Sequence, residues 1–224
     1  MEFKVIEIKQ SVLACNDRDA DELRAQLKEK GVFLLNLMSS PGSGKTTTLM
    51  QAIPRLRETL GVGVMEADID SDVDARTVSA TGARVIQLHT GGMCHLDAAM
   101  TGQGLAELGT DGLDLIVLEN VGNLVCPAEF DTGAVKNAVI LSVPEGDDKP
   151  LKYPRHVHGG GRAAGEQDGH APYFDFDLEA FSKRVHALNP GVQIFPICAK
   201  TGEGVDAFCG WLTDQVRRWK GEEN

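Results

Sequence analysis

The run Val32-Phe33-Leu34-Leu35-Asn36-Leu37-Met38 passes directly into Ser39-Ser40-Pro41-Gly42-Ser43-Gly44-Lys45-Thr46. An almost unbroken apolar run reads as a strand covered on both faces, and the glycine-rich turn after it opens a helical pattern. This commits the chain to a strand, loop and helix unit of a parallel sheet, with a phosphate-binding loop at the turn. The chemistry asks for backbone N–H groups at a helix N-terminus, an ammonium beside the β/γ phosphates, and a hydroxyl for Mg²⁺. Gly42 and Gly44, Lys45, and Thr46 supply these in turn, so Pro41, Gly42, Ser43, Gly44, Lys45, Thr46 and Thr47 are the candidate nucleotide-contacting residues. The usual pattern has glycine where Ser39 stands. A plain Gly/Ser turn is the bland alternative, and the order strand, loop, helix argues against it.

Apolar runs alternate with amphipathic stretches from about residue 16 onward, the pattern of strands and crossover helices. Helices are expected near 17–30, 44–60, 73–81, 95–108, 177–188 and 204–219, and strands near 32–38, 62–67, 84–88, 113–119, 137–143 and 192–197. A chain of 224 residues with 42% hydrophobic content can bury one α/β core. The expected organisation is an N-terminal strand/helix extension over 1–30 and a phosphate-loop domain over 31–220. The fold class is α/β, a phosphate-loop NTPase with a mostly parallel central sheet flanked by helices.

A formal net charge of −11 excludes a phosphate-backbone binder, so no nucleic-acid partner is expected. Met1-Glu2-Phe3-Lys4 begins no signal peptide, and no apolar stretch approaches the roughly 20 residues of a membrane span. The expected location is cytoplasmic. Five widely spaced cysteines in a chain too large to need disulfide staples are free thiols or metal ligands.

Nucleotide hydrolysis requires acids at neighbouring strand ends to hold the metal and its water. Glu66-Ala67-Asp68 closes the second strand and Glu119-Asn120 closes the strand at 113–118. Asp68 and Glu119 are expected to reach Mg²⁺ directly or through water, completing a catalytic set with Lys45 and Thr46. The alternative is a pair of solvated loop acids, or for 68–74 an ordinary acidic helix start.

A second cluster joins sulfur to imidazole. Cys94-His95-Leu96-Asp97 follows one strand and Cys126-Pro127 follows another, so both emerge on the nucleotide edge of the sheet. Thiolate plus imidazole suits Zn²⁺ or Ni²⁺ rather than Mg²⁺. Asp97 is a candidate acceptor for the His95 ring. Three donors fall one short of a closed structural zinc site, and a two-fold dimer would pool two sets. On spacing alone the cysteines also fit small buried hydrophobes.

Together these segments resemble the hydrogenase nickel-incorporation GTPases, the HypB family. The matching stretches are 36–46, 90–97, 119–127 and Ser142-Val143-Pro144-Glu145-Gly146-Asp147-Asp148-Lys149-Pro150-Leu151-Lys152-Tyr153-Pro154. The resemblance implies a SIMIBI-type G domain and a GTPase that dimerises with GTP. It further implies Ni²⁺ or Zn²⁺ on Cys94, His95 and Cys126, and nickel loading of [NiFe]-hydrogenase. The hydrogenase large subunit and a nickel-binding maturation protein are the implied partners. Cys198-Ala199-Lys200 resembles the Ser-Ala-Lys loop that lies against guanine, which gives Lys200 a place in the nucleotide site. The alternatives are a catalytically silent metal-binding scaffold and a urease-type nickel GTPase.

One stretch departs from the family. After Tyr153-Pro154 the pattern implies an apolar strand and an Asn-Lys-x-Asp motif, whereas 155–170 reads as a Gly-, His- and Arg-rich run. A one-base shift turns the Glu166 codon into Asn or Ser and the Gln167 codon into Lys or Arg, and can turn that of Gly169 into Asp. The stretch, within the anomalous 155–172, therefore reads as a frameshifted translation, with a flexible insertion and a nickel loop through His156, His158 and His170 as alternatives. The coding nucleotide sequence is expected to encode Asn-Lys-x-Asp in the shifted frame; its absence from both alternate frames refutes the frameshift.

Overall fold

Short apolar runs pair side by side and all point the same way, so each connection must cross a face of the sheet. A computed structural model describes residues 8–69, 71–152, 162–166 and 176–222. Its seven strands are β1 (Phe33–Ser39), β2 (Val62–Asp68), β3 (Arg84–His89), β4 (Leu115–Glu119), β5 (Lys136–Ser142), β6 (Arg162–Glu166) and β7 (Phe195–Ile197). They form one parallel sheet in the order β3-β2-β4-β1-β5-β6-β7.

Helices cover both faces. They are α1 (Ile8–Glu29), α2 (Lys45–Leu56), α3 (Val73–Ser79), α4 (Ala98–Leu108), the single turn α5 (Lys149–Lys152), α6 (Leu178–Leu188) and α7 (Val205–Lys220). Period two along β1 splits its side chains between two cores. Leu35 and Leu37 meet Leu49, Ala52, Ile53 and Leu56 of α2 and Phe208 and Leu212 of α7. Leu34 meets Leu27 of α1 and Leu105 and Leu108 of α4 on the other face. A third cluster joins Met38, Val139 and Leu141 to Phe181 and Val185 of α6. Among the described residues no helix is long and apolar enough to cross a membrane, and all five cysteines are free.

The element pattern follows the sequence closely, with four differences. Helix α1 starts by Ile8 rather than 17, because no Gly or Pro interrupts residues 8–17. A strand before it would fall on residues 1–7, outside the described residues. Helix α4 starts at Ala98 because Asp97 caps it, and β7 is only three residues long. The fourth is β6, which fills a sheet position inside the anomalous stretch.

Strand β6 pairs with β5 and β7, with Ser142 beside Glu166 and Glu166 beside Ile197. The slot is interior, where parallel strands are rich in Val, Ile and Leu, yet it carries Arg-Ala-Ala-Gly-Glu. The shifted frame allows Val-Leu-Leu-Val-Asn over these five positions, which supports the frameshift reading and places the Asn at the functional rim. The flanking residues of the stretch lie outside the described residues. Each added buried aliphatic side chain contributes roughly 1.5–3 kcal/mol. A chain with 156–169 in the shifted frame is therefore expected to melt more than about 10 °C higher than this one. Equal melting temperatures would contradict it.

Candidate nucleotide and metal site

All seven parallel strands end on one rim, where the phosphate loop, Asp68, Glu119, the loops of Cys94 and Cys126 and the loop of Lys200 lie; His156, His158 and His170 fall outside the described residues. The phosphate loop turns on Gly42 (φ 73°) and Gly44 (φ 91°), left-handed positions where a Cβ would be strained. Gly44 caps α2 without a side chain, so the first N–H groups of the helix point into the loop. Lys45 is buried, and its Nζ donates to Ser39 Oγ at 2.9 Å. The serine that replaces the usual glycine thus holds the lysine head. Thr46 Oγ1 donates to Glu119 Oε1 at 2.9 Å, so the expected hydroxyl and carboxylate meet. Thr47 is exposed on α2.

The second acid at this place is Glu66 rather than Asp68. Register puts Glu66 directly beside Glu119 on β2 and β4. Both are almost fully buried, and Glu66 Oε1 and Glu119 Oε2 have no hydrogen-bond partner among the described residues. Burial, then the charge of Glu119, push the Glu66 carboxyl up to about 10. Burial also raises Glu119, against the opposing pull of Lys45, Glu66 and Thr46. Two acids facing one ammonium in a dry site cannot both ionise freely, so the pair shares a proton. Asp68 instead closes a turn, its Oδ1 accepting from Ser71 N at 2.8 Å. The signal for Glu66 was a lone charge in the apolar run 62–67.

The orphaned carboxylate oxygens beside Thr46 form a hard, anionic oxygen set, and this fits Mg²⁺. Next to it lies the soft set. One donor atom each from Cys94, His95 and Cys126 lies within 4.8 Å of the others. The two Sγ atoms stand 2.9 Å apart. The neighbouring Cys126 thiol, followed by burial, raises the Cys94 pKa, so without a cation Cys94 favours its proton. His95 stacks on Phe130 at 4.0 Å, and its Nδ1 is buried without a hydrogen-bond partner among the described residues. Asp97 does not serve that ring: its Oδ1 accepts from Met100 N at 2.8 Å as the cap of α4.

Side-chain hydrogen bonds and one close packing contact tie the loops of the two sets together. Asn123 Nδ2 donates to Cys94 O at 3.1 Å, tying the loops after β3 and β4 together. Gly122 packs so tightly on the phosphate loop that a Cβ there would stand 3.1 Å from Pro41 Cα. Asn120 Nδ2 donates to Asn36 Oδ1 at 3.0 Å, and Asn36 Nδ2 donates to Asn137 Oδ1 at 2.9 Å. Farther along the rim, Lys200 is exposed in the loop closed by Cys198 N to Glu203 O at 2.9 Å. Cys198 and Cys209 are buried.

The family described as CobW/HypB/UreG, nucleotide-binding domain, matches residues 33–142. Hydrogenase maturation factor HypB of Azotobacter chroococcum mcd 1 is 42% identical over 214 residues, which is 95% of this chain and 70% of that protein. The crystal structure of HypB from Helicobacter pylori in complex with nickel superposes with a TM-score of 0.84 at 34% identity, covering 91% of this chain and 95% of that one. The signal recognition particle 54 kDa protein of Aeropyrum pernix K1 in complex with GDP shares the fold alone, at TM-score 0.56 and 15% identity, over 95% of this chain and 57% of that one. The chain spans about 70% of the length of the first of these relatives. With its phosphate-loop fold of the SIMIBI class, the chain belongs to the HypB family of hydrogenase maturation factors.

Proposed function

We propose that this chain is a GTP-hydrolysing nickel metallochaperone of the cytoplasm that assists nickel insertion into [NiFe]-hydrogenase. It works as a GTP-dependent homodimer, with the hydrogenase large subunit and a nickel-binding maturation protein as partners. The observation that carries this reading is the contact between the loop of Cys126 and the phosphate loop, Gly122 against Pro41. A shift of the phosphate loop then displaces a metal ligand only four residues away, which is what nucleotide control of a cargo metal requires.

Lys45 and the loop amides stabilise charge on the transferring phosphoryl group. Thr46, Glu119 and Glu66 would hold Mg²⁺, with Asp68 as a further acid at the end of β2. The ion, when bound, neutralises charge on the β- and γ-phosphates. Lys200 lines the base end of the rim. Nickel, or zinc in its place, is the cargo of Cys94, His95 and Cys126, and the nickel-bound Helicobacter pylori relative supports that choice. Met93 and Val125, the chain neighbours of Cys94 and Cys126, are exposed, as are Ile69 after β2 and Val73 at the start of α3. Exposed apolar side chains beside the donors suit a two-fold contact that brings two three-donor sets face to face.

Titrating Ni²⁺ in the presence of Mg–GDP and then a non-hydrolysable Mg–GTP analogue is expected to give affinities that differ at least about fivefold. Equal affinities would remove the coupling. Cys126→Ala should weaken nickel binding at least about tenfold in either state. Stability carries a separate signature of the buried acids. The Glu66 carboxyl stands at about 10 in the fold against 4.5 for the free side chain. Its contribution is thus complete below 4.5 and is lost as pH climbs toward 10, by at most about 1.4 kcal/mol per pH unit. Glu66→Gln should flatten that loss in urea unfolding between about pH 6 and pH 9; an unchanged slope would refute the shared proton.

A further inference from the structure

The stretch 142–149, which leaves β5, has no part in the phosphate or metal chemistry described above, yet it reaches into the phosphate loop. Glu145 Oε2 accepts from Ser43 Oγ, Ser142 N and Ser142 Oγ, each at 2.9 Å. Its Oε1 lies 2.7 Å from Lys149 Nζ in an ion pair whose side chains are only 14% and 16% exposed. Burial alone would raise this carboxyl. The Lys149 ammonium, the Ser40 and Ser142 hydroxyls and the Ser142 N–H outweigh burial and hold it at about 2. Glu145 is therefore an anion throughout the neutral range.

The Ser142 contacts close a capping box around the 3-10 turn Val143–Glu145 and need no further role. The Ser43 contact is different, because it spans 102 positions of sequence and lands between Gly42 and Gly44. Flanking glycines leave the middle of a loop with many conformers, and ordering them on binding costs affinity. A charge-assisted bond to Ser43 removes that freedom beforehand. The anchor is itself fixed: Arg184 of α6 donates to Asp147 O at 3.0 Å and pairs with its carboxylate at 2.9 Å. Lys149 cancels the charge that would otherwise repel an incoming polyphosphate.

We infer that Glu145 is a positioning residue that holds the phosphate loop, through Ser43, in the conformation that receives the nucleotide polyphosphate. It touches the loop and not the reacting atoms, so it governs nucleotide affinity and KM more than kcat. The inference rests on the nucleotide-binding reading of this loop.

The test is calorimetric binding of Mg–GDP to the full chain and to its Ser43→Ala, Glu145→Ala, Glu145→Gln and Ser43→Ala/Glu145→Ala variants. Glu145→Ala and Ser43→Ala should each weaken binding about tenfold, and the double variant no more than the worse of the two. Glu145→Gln, whose amide oxygen still accepts from Ser43, should lose less than about threefold. In the Glu145 variants, nickel affinity at Cys94, His95 and Cys126 and kcat for GTP should stay within about twofold. Glu145→Ala binding Mg–GDP as tightly as the parent, or losses that add in the double variant, would overturn the tether alone. A parent chain that binds no Mg–GDP would overturn the nucleotide reading and the tether with it. Should Glu145→Ala fail to fold, Ser43→Ala against Glu145→Gln decides the point in the same way.

Discussion

Strand β4 lies beside β1, and this adjacency determines where every reactive group stands. The register sets Leu37 next to Glu119, so the strand that launches the phosphate loop and the strand that carries the acid end together. Thr46 then reaches Glu119 across one strand spacing. The half-buried amide of Asn137 and the buried amides of Asn36 and Asn120 bond in sequence across β5, β1 and the end of β4, and Asn120 Oδ1 accepts from Val121 N at 2.9 Å. A register slip of one residue would bury each of these amides unpaired, at a cost of about 1–3 kcal/mol apiece. The chain of amides therefore fixes the first residues of the loop that ends in Cys126.

The rim separates acids by environment. Glu66 and Glu119 are buried side by side, so burial raises both and the charge of Glu119 raises Glu66 further, against the pull of Lys45. Glu145, on the other side of the phosphate loop, has an ammonium and several N–H and O–H donors, so it stays charged. The same side-chain chemistry is thereby given two tasks: an oxygen pair poised for a hard cation, and a permanent anion that ties down a loop. The Cys-His-Cys set, one loop farther, is too soft to compete for the hard cation.

The sequence revealed the layout because its signals were local. An apolar run before a glycine-rich turn, and acids or cysteines just after strand-like runs, specify both element type and end of sheet without long-range information. What escaped depended on partners distant in sequence. Glu66 and Asp68 stand two residues apart on the same side of β2, and nothing local tells which one the neighbouring strand will oppose; pairing with β4 does. Asp97 had two available partners, a ring and a helix terminus, and the nearer backbone N–H of Met100 won. Glu145 was present in a recognisable motif, but its link to Ser43 exists only once β5 is placed beside β1. Strand β6 was missed for the opposite reason: its residues carry no strand signal, and only the neighbours β5 and β7 define the slot.

The incompleteness of the soft site is consistent with transport rather than storage. A structural zinc centre closes with four ligands and surrenders its metal reluctantly. Here one chain offers three, two of them thiols half exposed at the rim, and the described residues contain no fourth donor in the cluster. A coordination position left to a second protomer or an acceptor protein gives the metal a route out that does not require the fold to open. Its release can then be driven by moving one loop. The loop of Cys126 is suited to this because it is anchored at its start by Asn120 and pressed at Gly122 by the phosphate loop, while Val125 beyond it is exposed and Cys126 half-buried. On the proposed reading, a loop held at its start against the phosphate loop would carry a small displacement at the phosphates into the spacing of the donors, on which the affinity of a three-donor site depends.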